Sequence, residues 1–536
     1  MNVNWKSLFP FLLMLALASG IWLGHFLATF KNTNYESQRL AQQYSEVLTY
    51  IEDDYVDTVS LADLHEQAIN DMINKLDPHT SFLPAREVAL FASKLKKSFD
   101  GLGVEFTIFR DTLLALRILD KSPAQRGGLL PGDRLIKIDT TQIAGAMISY
   151  TEAFNLLRGP RDSEVVLHVS RMGRKEKITI TRGKIITHPV EATFMLDSTT
   201  GYIKLARFAS NAHSEVQASI NTLLAKGMQQ LVFDLRQNGG GLVDQAVKIL
   251  DEFLAKGLVV VQTKGKSKIG NNSIKTERKG AFEKGSLILL IDENSASASE
   301  LVAGAIQDYD RGVIIGRRSF GKGLVQRPIK LSDGSELRLT ISRYYTPSGR
   351  CVQRPYNGDD DAYWNELSRR LKGGEFSNED SVYYNDTLIY KTTNNRLVYG
   401  GGGVYPDIFV ADNTIPSLFK LMNDANILTA IAAELAADFL LHSTTTSITG
   451  FMVQFRLNDT TINRIKRHCE ELGITYNDQT FTSALPFLSK RIQSLTARSL
   501  WSENEFHLTM SDHDAMILKA QQVFNEPTYY QLLNSQ

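Results

Sequence analysis

The run SLILLIDENSASASELVAGAIQDY, Ser286–Tyr309, opens on an unbroken apolar stretch, Leu287–Ile291, and closes on a segment whose Leu301, Val302, Ala305 and Ile306 share one helical face. A short uninterrupted apolar run predicts a strand buried on both faces, and the later spacing predicts a helix. Three serines alternate with alanines on the turn between them. The alternation continues outward: GYIKLARF (Gly201–Phe208), HSEVQASINTLLAKG (His213–Gly227), QLVFDLR (Gln230–Arg236), GLVDQAVKILDEFLAKG (Gly241–Gly257) and GVIIG (Gly312–Gly316). Strands and helices in this order predict a layered α/β core with largely parallel central strands.

The flanks have other textures. Residues 98–184 carry short β-type runs, GLGVEFTIF, LLALRIL, DRLIKID, EVVLHVS and KITITR, with one helix, SYTEAFNLLRG. Residues 32–97 and 412–536 have helical spacing, the first broken at Asp77-Pro78. Within the core region 185–411, residues 357–395 are polar and predict a surface insertion. In residues 1–31, Leu8 to Phe30 carries no Asp, Glu, Lys or Arg. That length predicts an uncleaved single anchor in a cell inner membrane, with the rest of the chain on the exported, periplasmic side.

Lys+Arg and Asp+Glu balance at 59 each, so no global field recruits nucleic acid or an anionic surface. The only cysteines, Cys351 and Cys469, lie far apart and in no metal-ligand spacing; two unpaired thiols are the expectation, with a disulfide left open.

A strand-to-helix turn suits a nucleophile, because free N–H groups and the positive end of a helix dipole stand ready for an oxyanion. A helix N-cap would also place a serine here, so the turn alone leaves both readings open. The activator is therefore the informative part. Among the histidines, His25 lies in the apolar N-terminal run, His65 and His79 precede the β-rich region, and His442, His468, His507 and His513 fall in the tail; His168, His188 and His213 stay open.

The other base available to a serine is a lysine kept neutral by burial. Lys322 in SFGKGLVQ is flanked by Gly321 and Gly323, which let backbone close around its stem. Gln326 shares its face if the segment is extended; the Cα atoms would be about 13 Å apart, so both side chains must lean inward. GRRSFGKG, Gly316–Gly323, follows the phosphate-loop pattern until its last position, where Gly323 stands in place of the Mg²⁺-binding hydroxyl, and a strand-like LVQRPIKL follows. Nucleotide binding is set aside. In DLRQNGGGLVDQA, Asp234–Ala246, three glycines before a helix suit either half of an oxyanion hole or a tight turn.

Together, ENSASASELVAGAIQDY, RRSFGKGLVQ and DLRQNGGGL resemble the carboxy-terminal processing (tail-specific) serine peptidases. GLGVEF, SPAQRGGLLPGDRLIKID and LRGPRDSEVVLHVSR resemble their PDZ domain; LDPHTSFL, YYTPSGRCVQ and GGGGVYPDI extend the likeness over roughly residues 35 to 410. The resemblance implies an α+β multidomain chain, a layered peptidase core of crotonase-like β-α repeats with an inserted PDZ domain between N- and C-terminal helical regions. It implies Ser297 as nucleophile, Lys322 as base, Gln326 as its orienting partner, and the N–H groups of Ala298 and Gly240 as oxyanion hole. Gly101, Leu102, Gly103 and Val104 would capture the carboxylate of an apolar C-terminal tail. No cofactor or metal is called for. The implied function is endopeptidase cleavage of exported proteins near or from their C-terminus; a non-catalytic or activator-dependent PDZ scaffold is the alternative. The helical arms suggest a homodimer or an activating partner.

Overall fold

Two compact units make up the chain, Met1–Leu76 and Asp77–Gln536. The computed structural model describes residues 5–88, 92, 97–412, 417–443 and 447–534. Residues 1–4 of the expected anchor, 89–91 and 93–96 of the expected N-terminal helical region, and 413–416, 444–446 and 535–536 of the expected C-terminal region lie outside the described residues.

In the first unit, the apolar run belongs to one long helix, α1 (Trp5–Asp54), followed by α2 (Leu61–Ile73), whose N-cap Ser60 accepts a hydrogen bond from Asp63 N–H at 3.3 Å. The expected membrane anchor, and with it the inner-membrane placement facing the periplasm, is corrected here: among the described residues no helix is long and apolar enough to cross a membrane. Past the uncharged stretch, α1 continues without a break into polar sequence as far as Asp54.

The second unit opens with β1 (Ser81–Leu83) and a small β-domain. There β2 (Ser98–Gly101) pairs with a late strand, Gly183–Ile186, and β3 (Val104–Ile108) forms the edge of a second sheet. This sheet continues through β4 (Leu113–Ile118), β5 (Arg134–Ile138), β6 (Glu164–Arg171) and β7 (Arg174–Thr181). Its helix α3 (Tyr150–Leu157) starts at a capping box, Ser149 with Glu152, which satisfies two N–H groups that the first turn would leave open.

The core follows with β8 (Val190–Met195), β9 (Thr200–Leu205), α4 (Ala212–Ala225), β10 (Gln230–Asp234), α5 (Val243–Leu250), β11 (Ser286–Ile291), α6 (Ala298–Asp308) and β12 (Val313–Gly316). Two strands then leave the sheet, β13 (Leu324–Lys330) and β14 (Glu336–Tyr345), before β15 (Ile408–Phe409) returns to it. The six-stranded order is β8-β9-β10-β11-β12-β15, parallel except for the first pair.

Alternation along β11 explains its unbroken apolar run. Leu287, Leu289 and Ile291 pack with the cluster that contains α4, α5 and α6; Ile288 and Leu290 pack on the opposite face with Met516, Ile517, Ala520 and Val523 of a tail helix, Ala515–Asn525. The same logic holds in the β-domain. Leu113 and Ala115 of β4 point into its own core, whereas Leu114 and Leu116 join Phe109 against the tail helices Ile427–His442 and Asp478–Leu500, including Ile431, Leu488 and Ile492. Two ion pairs border that contact, Arg134 to Glu434 at 3.1 Å and Arg498 to Glu105 at 2.8 Å. The C-terminal helices, expected to serve self-association, thus cover the chain's own β-domain and central sheet. Both cysteines are free.

Candidate active site

The three serines of the turn differ in what holds them. Ser295 and Ser299 are fully buried. Ser295 Oγ donates to Leu235 O at 2.9 Å and Ser299 Oγ to Asn238 O at 2.7 Å, so both fasten the turn to the segment 234–241. Ser297 stands at the N-cap position of α6, only partly buried, with φ +54° and ψ −112°. That conformation is costly for a residue with a Cβ and persists where its surroundings over-determine it. They do: Ser297 N–H donates to Glu300 Oε2 at 2.8 Å, and Ser297 O accepts from the Tyr344 hydroxyl at 3.0 Å.

Gly240 presses against this turn. With φ +99°, its missing Cβ would sit 2.8 Å from Ala296 O, 2.9 Å from Ser297 Cβ and 3.0 Å from Ala298 N, so only glycine fits. Its own N–H donates to Asn238 Oδ1 at 2.9 Å. The expected oxyanion donor is therefore already bonded, and what Gly240 supplies is close approach. Ala298 opens α6, where an N–H lacks an intrahelical acceptor, and Gly239 is exposed. Arg236, below the same turn, pairs with Asp234 at 2.6 Å and Asp514 at 2.8 Å; the guanidinium beside it holds the buried Asp234 carboxyl far below the usual range.

Lys322 lies on the loop between β12 and β13. Its Nζ donates to Gln326 Oε1 at 3.0 Å, and no hydrogen bond among the described residues joins it to Ser297. The two side chains meet because Lys322 precedes the strand and a bulge between Val325 and Gln326 alters the strand's phase. Burial lowers the lysine's pKa, with a smaller push from Arg338; the charges of Glu300 and Asp77 pull in the opposite direction without cancelling it.

Glu300 connects the serine turn to this loop. Fully buried, it accepts from Ser319 Oγ and Gly321 N at 2.6 Å each through Oε1, and from Ser297 N and Lys322 N at 2.8 Å each through Oε2. Burial raises its pKa while these donors oppose the rise. Four donors and no acceptor around one carboxylate match the ionised form.

The loop is also held from outside. Arg370, in the expected surface insertion, donates to Ser319 O at 3.0 Å and Arg318 O at 2.6 Å, while Glu375 takes the Arg318 guanidinium at 2.7 Å. Arg370 and Glu375 are buried, so part of the insertion is structural support. His79 comes to the same place. Its ring nitrogen meets the Tyr363 hydroxyl at 2.7 Å, its carbonyl accepts from Gln326 Nε2, and burial, aided by the Lys322 charge, pushes its pKa down to about 3. A neutral histidine thus sits beside the lysine. Sequence position alone hid it.

In the β-domain, the carbonyls of Leu102 and Gly103 are held inward by Ala124 N–H (2.8 Å) and Leu119 N–H (2.9 Å). Each trans peptide sets N–H opposite to C=O, so the Gly103 and Val104 N–H groups point the other way. Gly101 ends β2, Gly103 has φ +77°, and Val104 starts the edge strand β3. Next to β3, the Phe106 ring stacks on Tyr150 of α3 at 4.9 Å. Among the described residues no His/Cys/Asp/Glu cluster has the makings of a metal site.

Comparison with known proteins agrees with this framework. Residues 199–359 match Peptidase family S41, and residues 116–171 match the PDZ domain. A carboxy-terminal-processing protease of Bartonella bacilliformis is 36% identical over 329 residues, which is 60% of this chain and 75% of that protein. A probable CtpA-like serine protease of Staphylococcus aureus (bovine strain RF122) is 31% identical over 323 residues, 60% of this chain and 64% of that protein. The solved photosystem II D1 C-terminal processing protease covers 70% of this chain and 88% of its own at 25% identity, with a TM-score of 0.37. Fold and matches define a serine-type peptidase with a PDZ domain. Within that class, the chain belongs to the carboxy-terminal-processing proteases of family S41.

Proposed function

We propose that Ser297 attacks the scissile carbonyl, that neutral Lys322 takes its proton and returns it to the leaving amine, and that Gln326 orients the lysine. The supporting observation is the shared carboxylate: Glu300 Oε2 holds the N–H of Ser297 and the N–H of Lys322, fixing both backbones in one frame. The lysine, lowered by burial, is suited to be a base. Catalytic hydrogen bonds tighten in the Michaelis complex, where the amine reaches the Ser297 hydroxyl. Ala298 N–H supplies one oxyanion donor and the exposed Gly239 the second, since Gly240 is engaged by Asn238.

The PDZ domain then delivers the substrate. A C-terminal tail adds as a strand along β3, its carboxylate meets the N–H groups of Gly103 and Val104, and the aromatic surface of Phe106 and Tyr150 favours an apolar last residue. The reaction is endopeptidase cleavage of proteins near or from such C-termini.

The test is cleavage of an unfolded protein bearing an apolar tail. Ser297→Ala and Lys322→Ala are each expected to lower kcat/KM about a thousand-fold or more. Full activity in either ends the assignment. Because the amine must be neutral, kcat/KM rises with pH through the lowered lysine pKa; a charged last residue in the substrate raises KM.

A further inference from the structure

Gln326 can serve Lys322 only with its amide one way round, oxygen towards the amine. Nothing on β13 enforces that choice. The enforcing group arrives from 247 residues away, the His79 carbonyl, which accepts from Gln326 Nε2 and leaves Oε1 for Lys322. That carbonyl is itself fixed by Asp77. Asp77 Oδ1 accepts from His79 N and Thr80 N at 2.9 Å each, closing a turn in which the carboxylate substitutes for backbone. Oδ2 accepts from Thr80 Oγ1 at 2.6 Å. The turn is then tied to β14: Thr340 Oγ1 donates to Asp77 Oδ1 at 3.1 Å and Thr340 N to Thr80 Oγ1 at 3.2 Å. Thr340 is the cross-strand partner of Gln326. The turn is therefore anchored on the residue opposite the one whose amide it sets.

We infer that Asp77 is a positioning residue for the base: its turn presents the His79 carbonyl to Gln326, which locks the amide with its oxygen on the Lys322 amine. The inference rests on Lys322 being the base. If the turn opens, the amide is free to rotate, and its NH2 group then faces an amine that must approach the serine. The charged groups around Lys322 are Glu300 on α6, Asp77 on the turn and Arg338 on β14, with Arg354 near His79.

A double-mutant cycle on the full-length chain tests it, because two residues that act through one contact do not add. Asp77→Ala is expected to lower kcat about tenfold with KM within about twofold, and to cost less than about twofold more in a Gln326→Ala background. Asp77→Asn keeps the Oδ1 acceptor and is expected to recover most of the loss, while its missing charge moves the rising limb of the pH profile to lower pH. Additive losses in the cycle overturn the inference, as does Asp77→Asn losing as much as Asp77→Ala. Where Asp77→Ala does not fold, Thr80→Val, which removes one of the two links between Asp77 and Thr340, takes its place in the cycle, with a smaller loss that likewise fails to add to that of Gln326→Ala. Lys322→Ala run alongside separates the two levels: an active Lys322→Ala sinks the base assignment, and an inactive one with an additive cycle sinks the role of Asp77 alone.

Discussion

The serine turn leans on one neighbouring segment of the core, the lysine loop on many. Residues 292–300 are fastened mainly to one segment, the neighbouring turn of the same sheet: Ser295 bonds to Asp292 N and Leu235 O, Ser299 to Asn238 O, and Tyr344 reaches in from a later strand to hold Ser297 O. The loop at Arg318–Gln326 is held by groups from afar, Glu300 inside, Arg370 and Glu375 on the insertion, Gly402 O at the end of the core, and His79 from the start of the unit. The nucleophile thus rests on adjacent parts of the core sheet, whereas the base is in place only once groups from both ends of the unit have closed around it.

Glu300→Gln strikes a carboxylate that both halves share, and among the supports of the two it is expected to have the largest effect. A neutral amide accepts less well and presents an N–H₂ to donors; kcat/KM should fall about a hundredfold. Losing the charge that pulls the lysine pKa up should also shift the remaining activity to lower pH, measured as the rising limb of the pH profile. Arg370→Ala removes outside support from the loop alone. It should lower kcat about tenfold and leave active-site titration of Ser297 by a serine-reactive phosphonate near normal. Equal loss of both would mean the two regions are not separable. The smallest effect on activity is expected from Leu488→Ala, in the contact between tail and PDZ domain. It should destabilise by about 2–5 kcal/mol in denaturant unfolding while kcat at saturating substrate stays within about twofold.

How much was legible follows from the same contrast. The five-residue apolar run of β11 announced a two-face-buried strand, and the glycines around Lys322 announced a tightly wrapped stem; a Cβ on Gly323 would lie 2.7 Å from Gln353 N. Glu300 was overlooked although Ser297 and Glu300 stand in S-x-x-E spacing, a pattern that pairs an N-cap backbone with a carboxylate three residues on. LDPHTSFL marked the turn that carries Asp77 and His79 but not its use, because their partners Gln326 and Thr340 lie on strands far down the chain. The tail's helical spacing was plain, but no periodicity reveals which foreign surface an apolar face will cover.

Helix Ala515–Asn525 covers the back of the strand that leads to Ser297, with Met516, Ile517, Ala520 and Val523 against Ile288 and Leu290. Synthesis runs from the N-terminus, and the contact spans more than two hundred positions. While the chain is still on the ribosome, β11 therefore has only one of its two apolar covers, and the sheet under the nucleophile stays half-dressed until the tail emerges.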